Sequence, residues 1–546
     1  MRPMRFVRVF ALFLAALMAS SAVHVRADEQ TVDVDQYPDA AAALAAGETF
    51  ENGRQWVEAI TLYEACLKKF PKDESLTYAL RRTRIHFGVD RRYADRSFEE
   101  KLLTKGRAEA LNLFEDILTR VQYEYVEPVS ASRFVAHGTE SLYMALRNER
   151  FLDRHFRTRN EAAIDRVRQT LIKSYWNRKV DGRMDARAVV TSVCELCQKE
   201  LALPGTAVVM EYVFGGCNAL DEYSNFLTPD RYNDMFGSIQ GELVGIGIEM
   251  KGVKGRGMHL VNVLLDSPAE AGGLNPDDYI VAIDGRDCRE LTTDDAARLL
   301  RGTAGSKVSL TYETPEGKSY TGDFVRRRVT IRSITRKMML DQDQGIGYIR
   351  MEGFQNNTVD ELDEALRSLE RQGMRALIWD LRGNPGGLLE TAAAVIERFI
   401  DQGVLVSTKG RSPEQNQTFQ AHGVNVRNYP LVLIVDENSA SASEIVAGAI
   451  KDHHRGTIVG RKTYGKWSVQ SIIRLSEDTA LKLTTAKFYS PGDHNYSGKG
   501  LEPDVTVPEP QDAQVTFYRD RTSDEISSDP DVAEALEVLQ TRLTRN

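Results

Sequence analysis

Between residues 345 and 507, short apolar runs alternate with segments of helical periodicity, and this alternation constrains the fold more than any other feature of the chain. Residues 347–351, 376–380 and 431–435 read as strands. Thr358 and Glu361 read as a capping box that opens a helix whose apolar stripe is Val359, Leu362, Ala365, Leu366 and Leu369. A further helix is expected over 388–400. Strands alternating with helices predict an α/β layer around a mostly buried sheet. The turn Asp380-Leu381-Arg382-Gly383-Asn384-Pro385-Gly386-Gly387 is crowded with glycine, which suits close approach of another backbone.

Two stretches of this layer carry chemistry. Ser439-Ala440-Ser441-Ala442-Ser443-Glu444 follows the apolar run 431–435 and precedes a helical segment, 445–450, so its serines sit at a strand-to-helix turn with backbone N–H groups able to hold an oxyanion. Gly465-Lys466-Trp467-Ser468-Val469-Gln470 presents one lysine on a glycine-flanked turn, and a lysine desolvated enough to be neutral activates a serine. Together they suggest a Ser-Lys hydrolase. Ser439 and Ser443 are expected to cap the following helix. His453 and His454, after Lys451-Asp452, read as surface residues at a helix end, with a histidine base as the alternative.

The rest of the chain is organised differently. Residues 39–89 read as helix, turn at Gly53, helix, then Pro71, which resembles one tetratricopeptide-like hairpin. A lone unit of that kind must dock on flanking helices or on a partner, so an adaptor protein there is expected. Residues 97–236 read as mostly helical, with a charged stretch at 148–187 that suggests an insertion, and they close on Leu220-Asp221-Glu222-Tyr223-Ser224-Asn225-Phe226-Leu227-Thr228-Pro229. Residues 240–329 turn to short strands, and their order resembles a PDZ domain of the circularly permuted bacterial sort. Gly245, Ile246, Gly247 and Ile248 would present backbone donors and apolar side chains to a peptide's terminal carboxylate.

Taken in order, Leu227-Thr228-Pro229, the PDZ-like stretch, the 380–387 turn, 439–444, Gly465-Lys466, Gln470 and Gly498-Lys499-Gly500-Leu501-Glu502-Pro503-Asp504 resemble the C-terminal processing peptidases, or tail-specific proteases. The resemblance covers roughly residues 97–507. It implies a multidomain α+β protein: a helical N-terminal region, a PDZ-like β-rich domain, a Ser-Lys peptidase core at 330–507 of the crotonase-like superfold, and a tail, 508–546, with a short helix. It implies that Ser441 is the nucleophile, Lys466 the general base and Gln470 the residue that positions the lysine. The oxyanion hole falls on the N–H groups of Ala442 and Gly386. No metal and no cofactor is implied, and the substrates would be proteins or peptides with accessible C-termini. Members of the family commonly carry glycine after the lysine, where this chain has Trp467. A positive φ there would strain tryptophan by about 1–2 kcal/mol. A scaffold binding partners through its helical and PDZ-like modules, and acyl-CoA chemistry on the shared superfold, are the other readings.

The N-terminus reads as an address. Arg2, Arg5 and Arg8 precede an apolar run from Val9 to about Ala22, and Val25-Arg26-Ala27 offers a cleavage site. A signal peptide over 1–27, an exported or periplasmic mature protein and no stable membrane span after cleavage are expected. Net charge is −9, which gives nucleic-acid binding no support. Five cysteines in an exported chain leave at least one unpaired unless it bonds to another chain, and a lone Cys194/Cys197 pair is expected to pack or to form an incidental disulfide rather than bind metal.

Overall fold

The computed structural model describes residues 13–15, 33–476, 478–508 and 522–545. The leader expected over 1–27 therefore lies outside the described residues, apart from the backbone of Phe13–Ala15. No described helix is long and apolar enough to cross a membrane.

Asp39 caps Ala40–Asn52 by accepting from Ala42 N, and the chain turns at Gly53 into Trp56–Lys69. The two helices meet closely: a Cβ on Gly47 would stand 2.2 Å from Tyr63 Cζ, so only glycine fits. Their apolar faces are covered by the next helix, Glu74–Tyr93, which closes a small core around Leu62, Tyr63 and Leu76. The far end of that helix, Ile85 to Tyr93, belongs to the main helical core. The hairpin thus finds its cover within the chain. The charged stretch at 148–187 is not set apart as an insertion, since Phe151, Ile164, Val167 and Leu171 enter the same core.

The PDZ-like region folds Ile248–Val253, Gly257–Val263, Tyr279–Ile283, Lys307–Glu313 and Ser319–Val325 into one sheet with its own core. Glu242–Gly245 and Arg327–Thr330 pair antiparallel where the chain enters and leaves it.

The α/β layer is a six-stranded sheet in the order Ile334–Asp341, Ile346–Met351, Ala376–Asp380, Leu431–Val435, Thr457–Gly460 and Val505–Thr506. Its strands after the first run parallel. One face packs on helices Thr358–Arg371, Leu389–Ile396 and Ala442–Asp452. The other is covered by Pro530–Arg545, through Val532, Ala535 and Leu539. The tail helix is therefore not short: it runs 16 residues and completes the layer. The expected capping box is absent. Asn357 occupies the cap position without a side-chain bond, and the Glu361 carboxylate instead accepts from Ser333 N and Ile334 N at 2.8 and 2.9 Å.

A second sheet stands beside the first, built mainly from Ser468–Arg474, Ala480–Tyr489, Val404–Gly410 and Gln417–Gln420, with Asn225–Leu227 along Ala480–Tyr489. Side chains alternate along Ala480–Tyr489. Leu481 and Leu483 enter the helical core, which leaves Lys482 and Thr484 on the opposite face. Phe13–Ala15 pairs antiparallel with both Gly387–Leu388 and Ser468–Arg474.

Candidate active site

The wholly buried strand Leu431–Val435 delivers the chain to a turn at whose end Ser441 takes φ 56° and ψ −110° before helix Ala442–Asp452 begins. A positive φ at a non-glycine residue costs on the order of 1–3 kcal/mol and persists only where the surroundings impose it. Here the flanking serines impose it. Ser439 Oγ donates to Leu381 O at 2.8 Å, and Ser443 Oγ donates to Asn384 O at 2.9 Å. They anchor the turn to the 380–387 loop and do not cap the helix as expected. That loop approaches so closely that a Cβ on Gly386 would stand 2.8 Å from Ala442 N and 2.9 Å from Ser441 Cβ. The Gly386 N–H donates to Asn384 Oδ1 at 2.9 Å in this structure.

The loop is held from behind. Tyr348 and two arginines, Arg350 and Arg382, surround buried Asp380. Although burial opposes it, the two guanidinium groups hold the Asp380 carboxyl well below the usual carboxylate range. Arg382 also reaches Asp529 and Asp531, both at 2.8 Å, which ties the C-terminal segment to the loop.

The lysine turn meets the serine turn at a carboxylate that the sequence motif did not mark. Glu444 Oε2 accepts from Ser441 N at 2.9 Å and from Lys466 N at 2.8 Å. Its Oε1 accepts from Gly465 N, Thr463 Oγ1 and Trp467 Nε1 at 2.8, 2.6 and 3.1 Å. Burial raises the pKa of this group, and the donors oppose that rise. Gly465 takes the positive φ, 92°, and Trp467 does not, so the expected strain at tryptophan is absent. The indole instead packs 4.6 Å from the Phe488 ring and 4.9 Å from Tyr496. Trp467→Gly is accordingly expected to destabilise the protein by about 3–5 kcal/mol, read as a lower denaturant midpoint. Unchanged stability with raised activity would restore the strain account.

Lys466 is 1% exposed, and its Nζ lies 4.2 Å from the centroid of the Tyr223 ring. Ser441 Oγ, Lys466 Nζ and Gln470 Oε1 are all buried without a hydrogen-bond partner among the described residues. Buried polar atoms left so mark places of chemistry, strain or bound water. The Lys466 pKa falls well below its ordinary value, first from burial and then from the charge of Lys482, while Asp221, Glu222 and Glu444 pull the other way. Gln470 Nε2 donates to Ser468 Oγ at 2.9 Å and Thr484 Oγ1 at 3.1 Å. Thr484 N in turn donates to Ser224 Oγ at 2.9 Å, which explains the polar-aromatic turn: it seats Tyr223 beside the lysine. The histidine alternative fails on distance, because His453 and His454 follow the far end of helix Ala442–Asp452, roughly 16 Å along its axis. His453 Nε2 is taken by Val404 O at 2.7 Å.

The predicted peptide loop lies on separate elements, in the PDZ-like core. Gly247 has φ 82° and packs against Ser267. Ala269 N already donates to Ile246 O at 2.9 Å, and the Ile246 side chain is buried in that core, so it lines no open pocket as expected. The five cysteines are buried and unpaired. Burial raises the Cys194 thiol to about 12.

Residues 345–507 match peptidase family S41, and residues 260–314 match the PDZ domain. The carboxyl-terminal-processing protease of Synechocystis sp. is 37% identical over 296 residues, 53% of this chain and 69% of that protein. The carboxy-terminal-processing protease of Bartonella bacilliformis is 35% identical over 298 residues, 54% of this chain and 68% of that protein. A solved photosystem II D1 C-terminal processing protease aligns at 25% identity with a TM-score of 0.40, covering 73% of this chain and 93% of that one.

Proposed function

The chain belongs to the carboxyl-terminal-processing proteases of peptidase family S41 and is a serine-type peptidase, and we propose that it cleaves peptide bonds with a Ser441–Lys466 dyad. The observation that carries this reading is one carboxylate, Glu444, binding the backbone at both Ser441 and Lys466, with the serine hydroxyl and the lysine amine buried and without a hydrogen-bond partner among the described residues. A neutral Lys466 leaves the Tyr223 ring, takes the proton from Ser441 Oγ as the oxygen attacks the scissile carbonyl, and passes it to the leaving amine. Water, deprotonated by the same amine, then hydrolyses the acyl-enzyme. Gln470 Oε1 orients the amine by accepting from it. The Ala442 N–H and the Gly386-Gly387 backbone stabilise the oxyanion, and Gly386 serves once its N–H is released from Asn384. An extended peptide fits between Gly387–Leu388 and Ser468–Arg474, where Phe13–Ala15 pairs with both strands.

We further propose that the PDZ-like domain reads a free terminal carboxylate through the backbone around Gly245 and Gly247, with Ile248 beside it. An unstructured polypeptide with an apolar C-terminus should be degraded, and amidating that terminus should slow cleavage several-fold at low substrate concentration. No cleavage of either form would overturn the peptidase mechanism. Equal kinetics would overturn only the carboxylate reading.

A further inference from the structure

A second lysine is buried beside the first. Lys482 lies on Ala480–Tyr489, on the face that also carries Thr484, the threonine bonded to Gln470 and Ser224. Its neighbours across the ladder are Asn225 on one side and Ile472 on the other. It is 5% exposed. Burying an ammonium group is expensive unless acceptors offset it, and a lysine that served only to fill space would be replaced by an apolar residue at no loss. The Asp221 charge acts on Lys482, and Asn225 lies directly across the ladder. Oδ1 of each is buried with no hydrogen-bond partner among the described residues.

We propose that Lys482 is a positioning residue of the dyad: charged in the field of the Asp221 carboxylate, it makes a second positive charge on Lys466 unfavourable and so keeps the Lys466 amine free to accept the serine proton. This rests on the Ser441–Lys466 reading above. The groups acting on Lys466 are Lys482, which disfavours its charge, and Asp221, Glu222 and Glu444, which favour it. The face of the Tyr223 ring also favours the ammonium form. Against three carboxylates and a ring, desolvation and Lys482 are what lower the amine. Burial lowers Lys482 to about 8, and the Asp221 charge opposes that fall.

The sign follows. Lys466 acts in its neutral form, so kcat/KM rises with pH through the Lys466 pKa. Removing the charge at 482 raises that pKa and moves the acid limb to higher pH. The test compares pH profiles of kcat/KM for one unstructured peptide across wild type, Lys482→Met, Lys482→Gln and Lys482→Arg, with Lys466→Ala as control. The neutral variants should shift the acid midpoint up by about one unit, a roughly ten-fold loss on the acid side, while Lys482→Arg keeps the wild-type midpoint. The glutamine variant can still bond within the cluster and serves if the methionine variant does not fold. An unmoved midpoint in a folded neutral variant would overturn the inference and leave the dyad standing. So would a raised KM without a shifted limb, which would make Lys482 a substrate contact instead. Full activity in Lys466→Ala would overturn both.

Discussion

S441A and K466A should each abolish turnover of an unfolded protein substrate, by on the order of 10⁴-fold or more, and the double variant should be little worse than either alone. The serine is a poor nucleophile without a base, and the lysine amine has no hydrogen-bond partner among the described residues. Their effects are those of one unit and do not multiply. Gln470→Ala should cost less, about 10- to 100-fold, because Gln470 is held by Ser468 and Thr484 and acts by orienting the amine. Activity surviving in either single variant would move the nucleophile or base elsewhere. Ser439 and Ser443 are poor replacements, since each hydroxyl is committed to a backbone carbonyl of the 380–387 loop.

The second large effect is expected at Glu444. Its carboxylate accepts five hydrogen bonds from the two turns, which are joined besides by the bond from Tyr464 N to Ser439 O at 3.1 Å. Glu444→Ala leaves those donors buried without an acceptor, a loss of about 3–5 kcal/mol in stability, together with nearly complete loss of activity as Lys466 drifts from Ser441. Glu444→Gln separates the two contributions. One oxygen still accepts, but the amide NH₂ now faces donors, so activity should fall at least about 100-fold with a smaller loss of stability. A Glu444→Gln enzyme as active as wild type would mean that the two turns hold their positions without the shared carboxylate.

The fold class was legible because its signal is periodic. Uniformly apolar strands such as Leu431–Val435 and the stripe on Thr358–Arg371 are set by burial, and burial is written in residue type. The serine and lysine turns were legible for a related reason: glycine and small residues mark places where backbones come close. What escaped the sequence were partnerships between distant residues. Glu361 reads as half of a local capping box, yet its carboxylate serves Ser333 and Ile334. Glu444 reads as a helix-start carboxylate, and nothing near it announces that Thr463, Gly465 and Trp467 will donate to it. Trp467 reads as strained only if it, rather than Gly465, takes the positive φ. Ile246 reads as a pocket residue, but the domain's own core claims it. Lys482 alternates with Leu481 and Leu483 in a strand, and only the packing of those leucines on the helical region turns the lysine toward the dyad.

The most direct test of the dyad is to react the folded protein with a fluorophosphonate, which traps an activated serine, and to locate the adduct by mass spectrometry of its peptides. One adduct is expected, on Ser441, formed rapidly by wild type and at least about 100-fold more slowly by K466A. An adduct on another serine, or labelling of Ser441 that is as fast in K466A as in wild type, would contradict it.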